Sequence, residues 1–193
     1  MTPQLVVLAG PNGAGKSTFY DVFLAASPLP FLNADLFAAE TGVDALEAAR
    51  ILDVTRQRMI DDRLGFITET VFSDPYGAKL DMLRQAIAAG YEVTLIYIGV
   101  ASPQLSALRV DQRIASGGHD VPRDRIAPRF ERSLHNLAEA ITFVPTVELY
   151  DNSSVEEPYR LVAIFRAGSW RSRLRSDVPD WARGLVRPAR RKR

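Results

Sequence analysis

The hydrophobic positions of this 193-residue chain fall into short apolar runs separated by longer amphipathic stretches. Leu5-Val6-Val7-Leu8-Ala9 is a continuous apolar run, the pattern of a strand buried on both faces. Ser17 to Ala26 follows, with Val22, Phe23 and Ala26 at helical spacing and Ser27-Pro28 ending the run. Pro30 to Asp35 reads as a short strand ending in polar residues. Val43 to Leu64 reads as a long helix. Ala45, Ala48, Ala49, Leu52, Met59 and Ile60 form its apolar face, Arg56, Arg58, Asp61 and Asp62 lie mostly on others, and Gly65 is placed as its C-cap. Phe66 to Phe72 is a strand. A helix starting at Ser73-Asp74-Pro75 carries Leu80, Leu83, Ile87 and Ala88 and closes at Gly90. Tyr91 to Val100, β-branched and aromatic, is the clearest strand. Helices follow over Ser102–Ala115 and, beyond a loop at 116–122, over a stretch where Pro128 should kink or divide the helix. Val147–Asp151 and Leu161–Phe165 read as two last strands, with a helix around 178–186.

Strands alternating with helices predict an α/β fold: a mainly parallel sheet with helices on both faces, in three layers. In such sheets ligands bind beyond the carboxyl ends of the strands. That rule gathers Asp35, Glu69 and Asn152 on one rim, although they are far apart in sequence. The chain length fits one domain over residues 1–170, followed by a basic C-terminal segment over 171–193.

The first strand and helix enclose Gly10-Pro11-Asn12-Gly13-Ala14-Gly15-Lys16-Ser17, which fits G-x-x-x-x-G-K-[ST]. Glycines let the backbone turn tightly and approach an anion. Successive N–H groups then form an anion nest, and the following helix adds its positive end. Lys16 would reach the outer phosphates and Ser17 would hold Mg2+. Such a loop marks nucleotide binding, and the rest of the rim decides the reaction. Asp35 is a candidate base for an acceptor hydroxyl; the alternative is that it caps a short helix over Leu36–Ala39. Glu69 ends an apolar strand. It could bind substrate hydroxyls or amides, hold a water on a metal, or serve a structural salt bridge, with Thr70 assisting. No apolar run ending in Asp of the Walker-B type is present, which argues against a motor ATPase. Arg109 and Arg113 share a helix face, and Arg123, Arg125 and Arg129 follow the Gly117-Gly118 hinge. This is the pattern of a mobile lid carrying Arg to a developing phosphoryl charge. A solvated face paired with Asp111, Asp124 and Glu131 is the alternative. His119, beside the hinge, reads as a structural hydrogen-bonder.

Charge and composition narrow the partners. Residues 166–193 hold ten Lys/Arg against two Asp/Glu, so the remainder is acidic, with 14 basic and 21 acidic residues. The tail lacks aromatics beyond Trp170 and Trp181, so nucleic acid is not the expected partner. Cysteine is absent, no signal-peptide pattern opens the chain and no run suits a membrane span; a cytoplasmic protein is expected.

The residues 10–18, Asn33-Ala34-Asp35, Glu69-Thr70, Gly-Gly-His-Asp-Val-Pro at 117–122 and Tyr150-Asp151-Asn152-Ser153 together resemble the zeta toxin family of P-loop kinases, in its compact bacterial branch, over about residues 4–165. The resemblance implies a P-loop NTPase fold like that of small-molecule kinases, with an Arg-bearing lid. It implies ATP or GTP as phosphoryl donor with Mg2+, a UDP-linked amino sugar as acceptor, and an antitoxin protein as partner. By position it makes Asp35 the base. Lys16, Arg113 and Arg129 act on the transferred group, with Arg109 and Arg123 as further lid candidates. Asn33, Glu69, Thr70 and Arg109 become acceptor ligands. Gly10, Pro11, Asn12, Gly13, Ala14, Gly15, Lys16, Ser17 and Thr18 bind the nucleotide phosphates, and Asn152 lies near its base. The alternative is a nucleotide-binding ATPase module with a nucleic-acid or protein partner.

Overall fold

The computed structural model describes residues 2–115, 122–167, 169–170 and 177–186. The elements are β1 (Gln4–Ala9), α1 (Lys16–Phe19), β2 (Phe31–Leu32), α2 (Ala34–Thr41), α3 (Ala45–Asp61) and β3 (Phe66–Thr70). They continue as α4 (Ala78–Ala88), β4 (Glu92–Gly99), α5 (Pro103–Ala115), α6 (Arg123–Ile141), β5 (Thr146–Asp151), β6 (Arg160–Arg166), β7 (Ser169–Trp170) and α7 (Arg183–Val186). They build one seven-stranded sheet in the order β2-β3-β1-β4-β5-β6-β7. The first five of these strands run parallel. β6 and β7 add on antiparallel. The connection from Asp151 to Arg160 is too short for a helical crossover, so β6 returns beside β5 as a hairpin.

β1 shows why the apolar run is continuous. Leu5, Val7 and Ala9 join the core on one face of the sheet, with Leu80, Leu83, Leu137 and Trp181. Leu8, with Val6 packed beside it, joins the other, with Phe19, Ile98 and Phe130. Both faces of the sheet are therefore covered by helices, as a parallel sheet requires. β1 lies between β3 and β4, so the chain leaves it toward β3 and later crosses to β4. This is the topological switch point, and the loop after β1 opens into the crevice there.

Several local expectations change. α3 ends with Arg63 in the left-handed region (φ 57), and not at Gly65. Gly65 instead lets the chain pass Leu29, whose Cδ2 would lie 2.9 Å from an added Cβ. Arg56 turns inward: it belongs to the buried stripe Ala48, Leu52, Arg56, Ile60, an i,i+4 series that overrides its charge. α6 runs undivided through Pro128. Past Phe19 the first helix widens into a π-helical turn over Tyr20–Leu24, which leaves Val22 and Phe23 exposed. The helix expected around 178–186 is a 3-10 turn over Asp180–Ala182 running into α7. The Gly117-Gly118 hinge, His119 and the tail 187–193 lie outside the described residues.

α6 also fixes the wall of the rim. The Asn136 amide donates to Phe72 O and to Asp74 O, both at 3.1 Å. Arg132 Nε donates to Ser73 O at 3.0 Å. Together they hold the turn after β3, where the buried Phe72 adopts φ 59, a costly conformation for a bulky residue. Asn136→Ala should therefore lower stability by about 1–3 kcal/mol, since a buried carbonyl and a half-buried one lose their donor. Urea denaturation of the full chain measures this.

Candidate functional site

The phosphate loop leaves β1 at Gly10 and enters α1 at Lys16. Gly15, at the helix N-cap, has φ 88, and a Cβ there would lie 2.6 Å from Asn152 Nδ2 and 2.8 Å from Tyr159 Oη. Those two side chains brace the loop from the β5–β6 side. Asn152 Nδ2 donates to Ala14 O at 2.9 Å, and the Tyr159 hydroxyl donates to Gly15 O at 2.9 Å. Asn152 Oδ1 in turn accepts from Tyr159 N, so both ends of this buried amide are occupied within the fold. Ser106 in α5 donates its hydroxyl to Asn12 O.

On the other side stands Glu69, at the end of β3. β3 pairs in register with β1, so Glu69 lies opposite Leu8 and points its carboxylate at the loop. Its Oε1 is 3.5 Å from Lys16 Nζ, its Oε2 accepts from Asn33 Nδ2 at 2.7 Å, and Ser17 Oγ donates to it at 3.3 Å. Lys16 is buried and also donates to Pro11 O at 3.2 Å. One carboxylate thus gathers the cation, the hydroxyl and an amide at the mouth of the loop.

Asn33, not Asp35, caps α2, accepting from Leu36 N at 3.1 Å. Asp35 sits in the first turn, exposed, and among the described residues its side chain makes no hydrogen bond or ion pair. The capping alternative for Asp35 is thereby replaced by its neighbour.

Two cavities open on this rim. One, of about 220 Å3, is lined by loop residues Asn12, Gly13, Gly15, Lys16, Ser17 and Thr18 together with Arg109 and Arg113. The other, of about 480 Å3, lies between α2, α3, the turn after β3 and α6, and Thr70, Arg129 and Arg132 face it. Asp35, Glu69 and Val71 line both. Arg109, expected among acceptor ligands, lines the phosphate-loop cavity only; its guanidinium donates to Asn152 O at 2.7 Å. Arg129 lines the larger cavity and not the loop, while Thr70 Oγ1 is engaged by Phe72 N at 3.0 Å.

The larger cavity contains groups that reading the sequence missed. Arg56 is buried at its floor, donating to Thr68 Oγ1 and to Asp53 Oδ1, both at 2.7 Å. Burial pulls its pKa below the usual guanidinium range, and Asp53 opposes that shift. Lys79 Nζ meets the same Asp53 carboxylate at 2.5 Å. Arg129 is pulled below its ordinary value by burial and by the charges of Arg125 and Arg132. Neither Arg129 nor Arg132 has a carboxylate partner among the described residues. The i,i+4 spacing from Leu52 could have revealed Arg56; nothing local marks Arg132.

The sequence profile of the zeta toxin family matches residues 40–165. The chain belongs to the zeta toxin family. The match begins beyond the phosphate loop and stops before the C-terminal segment. An uncharacterised protein of Haemophilus influenzae is 26% identical over 136 residues, 67% of this chain and 94% of that protein. Among solved structures, the AvrRxo1-ORF1:ORF2 complex superposes with a TM-score of 0.68 at 16% identity, over 88% of this chain and 60% of the matched one. A form of that complex with ATP gives 0.66. The PezAT toxin–antitoxin system of Streptococcus pneumoniae gives 0.60 at 18% identity, over 78% of this chain and 68% of the matched one. These likenesses show the fold, a three-layer α/β fold with a mainly parallel sheet. The chain spans about three fifths of the AvrRxo1 chains it matches. Among the described residues, no helix is long and apolar enough to cross a membrane.

Gly15→Ala should weaken binding of ATP at least about tenfold, equal to about 1.4 kcal/mol, because the new Cβ meets both braces in a left-handed backbone. Calorimetric titration of the variant against the parent, with thermal melts as a check on folding, measures it.

Proposed function

We propose that the protein is a kinase that moves the γ-phosphoryl group of ATP or GTP to a hydroxyl of a small molecule. The observation that carries this reading is the pair of cavities sharing Asp35 and Glu69. Phosphoryl transfer needs a donor and an acceptor held in line with a carboxylate between them. The loop cavity suits the donor's phosphates, and the larger cavity suits the acceptor. The AvrRxo1-ORF1:ORF2 structure with ATP supports ATP as donor.

In this reading the loop amides and Lys16 hold the phosphates, displacing Glu69 from the Lys16 ammonium. Asp35, exposed at the seam and without a partner among the described residues, accepts the acceptor's proton. The acceptor oxygen bonds to the γ-phosphorus as the bond to the β-phosphate oxygen breaks, releasing the nucleoside diphosphate. Arg113 from the donor side and Arg129 from the acceptor side converge on the group in flight.

Mg2+ fits the residues present. Ser17 Oγ and the Glu69 carboxylate are hard oxygen donors at the loop mouth, 3.3 Å apart. Among the described residues no cluster of three or more His, Cys, Asp or Glu side chains exists. Such an ion would be held by these one or two protein oxygens and by substrate phosphates. The ion would neutralise charge on the β- and γ-phosphate oxygens.

Arg129 and Arg132 put local positive charge on the α6 wall of the acceptor cavity, whose four acidic and four basic lining residues balance overall. This favours an acceptor bearing an anionic group, and the UDP-linked amino sugar implied by the family resemblance meets that requirement. The PezAT likeness makes an antitoxin that covers the cleft the natural protein partner to seek.

Lys16→Ala should abolish nucleotide binding and turnover. Asp35→Asn should bind ATP within about twofold of the parent, since it carries no phosphate contact, yet lose at least about a hundredfold in transfer, the usual share of a general base. Single-turnover transfer from labelled ATP checks both. Equal transfer in Asp35→Asn and the parent removes Asp35 from the base role.

A further inference from the structure

The segment Asp177–Val186 lies outside the family match and belongs, by sequence, to the basic C-terminal stretch. It is nonetheless part of the core. Trp181, Ala182 and Val186 are buried among the residues of the larger hydrophobic cluster. Trp181 is seated on a definite spot. Its ring lies against Gly99, where an added Cβ would meet indole carbons at 2.4 Å, and against Tyr97, with ring centroids 5.8 Å apart. Its Nε1 donates to Asp151 Oδ1 at 3.0 Å. Gly99 and Asp151 are cross-strand partners, the last pair of the β4–β5 ladder. Arg160 anchors the start of the segment by bonding Asp177, and it also reaches Asp151 Oδ2 at 3.4 Å.

The residue after Asp151 is Asn152. Its N–H continues the ladder by donating to Gly99 O at 2.9 Å. Its side chain then holds Ala14 O, and its carbonyl accepts from Arg109. A short path of packed atoms therefore runs from Trp181, through Gly99 and Asp151, to the backbone of the phosphate loop. Every link is a hydrogen bond, a peptide bond or a direct packing contact.

We propose that Trp181 is a positioning residue for the phosphate loop: the C-terminal segment pins the end of the β4–β5 ladder so that Asn152 can hold the loop in its anion-binding shape. The indole fills the space above Gly99, and its N–H joins the Ser153 hydroxyl and Arg160 in holding the buried Asp151 carboxylate. With the pin in place, the Asn152 amide has one orientation. Without it, the ladder end is free to fray and the loop loses a brace. The significance for the donor site rests on the kinase reading above; the mechanical link does not.

The test compares Trp181→Phe with Val186→Ala in the full chain. Trp181→Phe keeps an aromatic ring on Gly99 and removes the indole donor to Asp151 Oδ1, leaving the Ser153 hydroxyl and Arg160 in place. Val186→Ala thins the same segment's packing without touching the ladder end. Hydrogen exchange followed by mass spectrometry reads peptides covering residues 9–19. The loop peptide of Trp181→Phe should exchange faster by at least about fivefold, the scale of one lost hydrogen bond, while Val186→Ala lowers the melting temperature and leaves the loop's exchange unchanged. Calorimetry should show the ATP Kd of Trp181→Phe raised by a similar factor, with Val186→Ala at the parent value. Unchanged loop exchange in Trp181→Phe, or equal acceleration in both variants, overturns the proposal. A parent protein that binds neither ATP nor GTP would sink the kinase reading, and the exchange result would still decide this one.

Discussion

A glycine-rich loop has to be kept in one shape, and much of the rim depends on how that is done. Three glycines give the loop its tight turn and its inward amides, but they also give it the most conformational freedom to lose. Helix α1 is short and passes at once into a π-helical turn, so the helix alone does not hold the loop. The restraint comes from elsewhere: Asn152 and Tyr159 from the β5–β6 connection, Ser106 from α5, and Glu69 from β3. Each is delivered by a strand or helix whose own position is set by core packing. The anion-binding shape is thus a property of the whole sheet.

Charge follows from the same arrangement. Lys16 is buried, and a buried ammonium needs a counter-charge. Glu69 supplies it, in register from the neighbouring strand. The same carboxylate takes the Asn33 amide and the Ser17 hydroxyl, and in the proposed kinase reading an entering phosphate would exchange with Glu69 for Lys16 and Ser17. Asp35 differs: Asn33 has taken the cap of α2, which leaves Asp35 uncommitted at the seam of two cavities. Two carboxylates on one rim therefore differ in their partners, and the roles proposed for them differ accordingly. Opposite them α6 brings Arg129 and Arg132, and its Asn136 fixes the turn after β3 that forms the facing wall.

Much of this was legible in the sequence. The β1 run, the loop spacing and the alternation of strands with helices define an α/β fold with the site at the carboxyl ends, and Lys16, Asp35, Glu69 and Asn152 do converge there. What escaped has a common cause. Arg56 was read by its charge, yet its place four residues from both Leu52 and Ile60 buries it. Arg109 was read by its helix face, yet only the course of β5 shows that Asn152 O is its partner. The reversal of β6 was open to arithmetic, since too few residues separate it from β5 for a crossover. Trp181 could not be placed from pattern at all. Its partners Gly99 and Asp151 are brought together by sheet pairing, and the basic composition around it reads as solvated chain.

The central claim is that donor and acceptor meet at the seam marked by Asp35 and Glu69. The most direct measurement is phosphorus NMR of the full chain with ATP, Mg2+ and a panel of small hydroxyl compounds that includes a UDP-linked amino sugar. The account predicts a new phosphomonoester resonance on one acceptor, growing in step with the nucleoside diphosphate. ATP that stays intact throughout the panel, or that yields only inorganic phosphate, would contradict it.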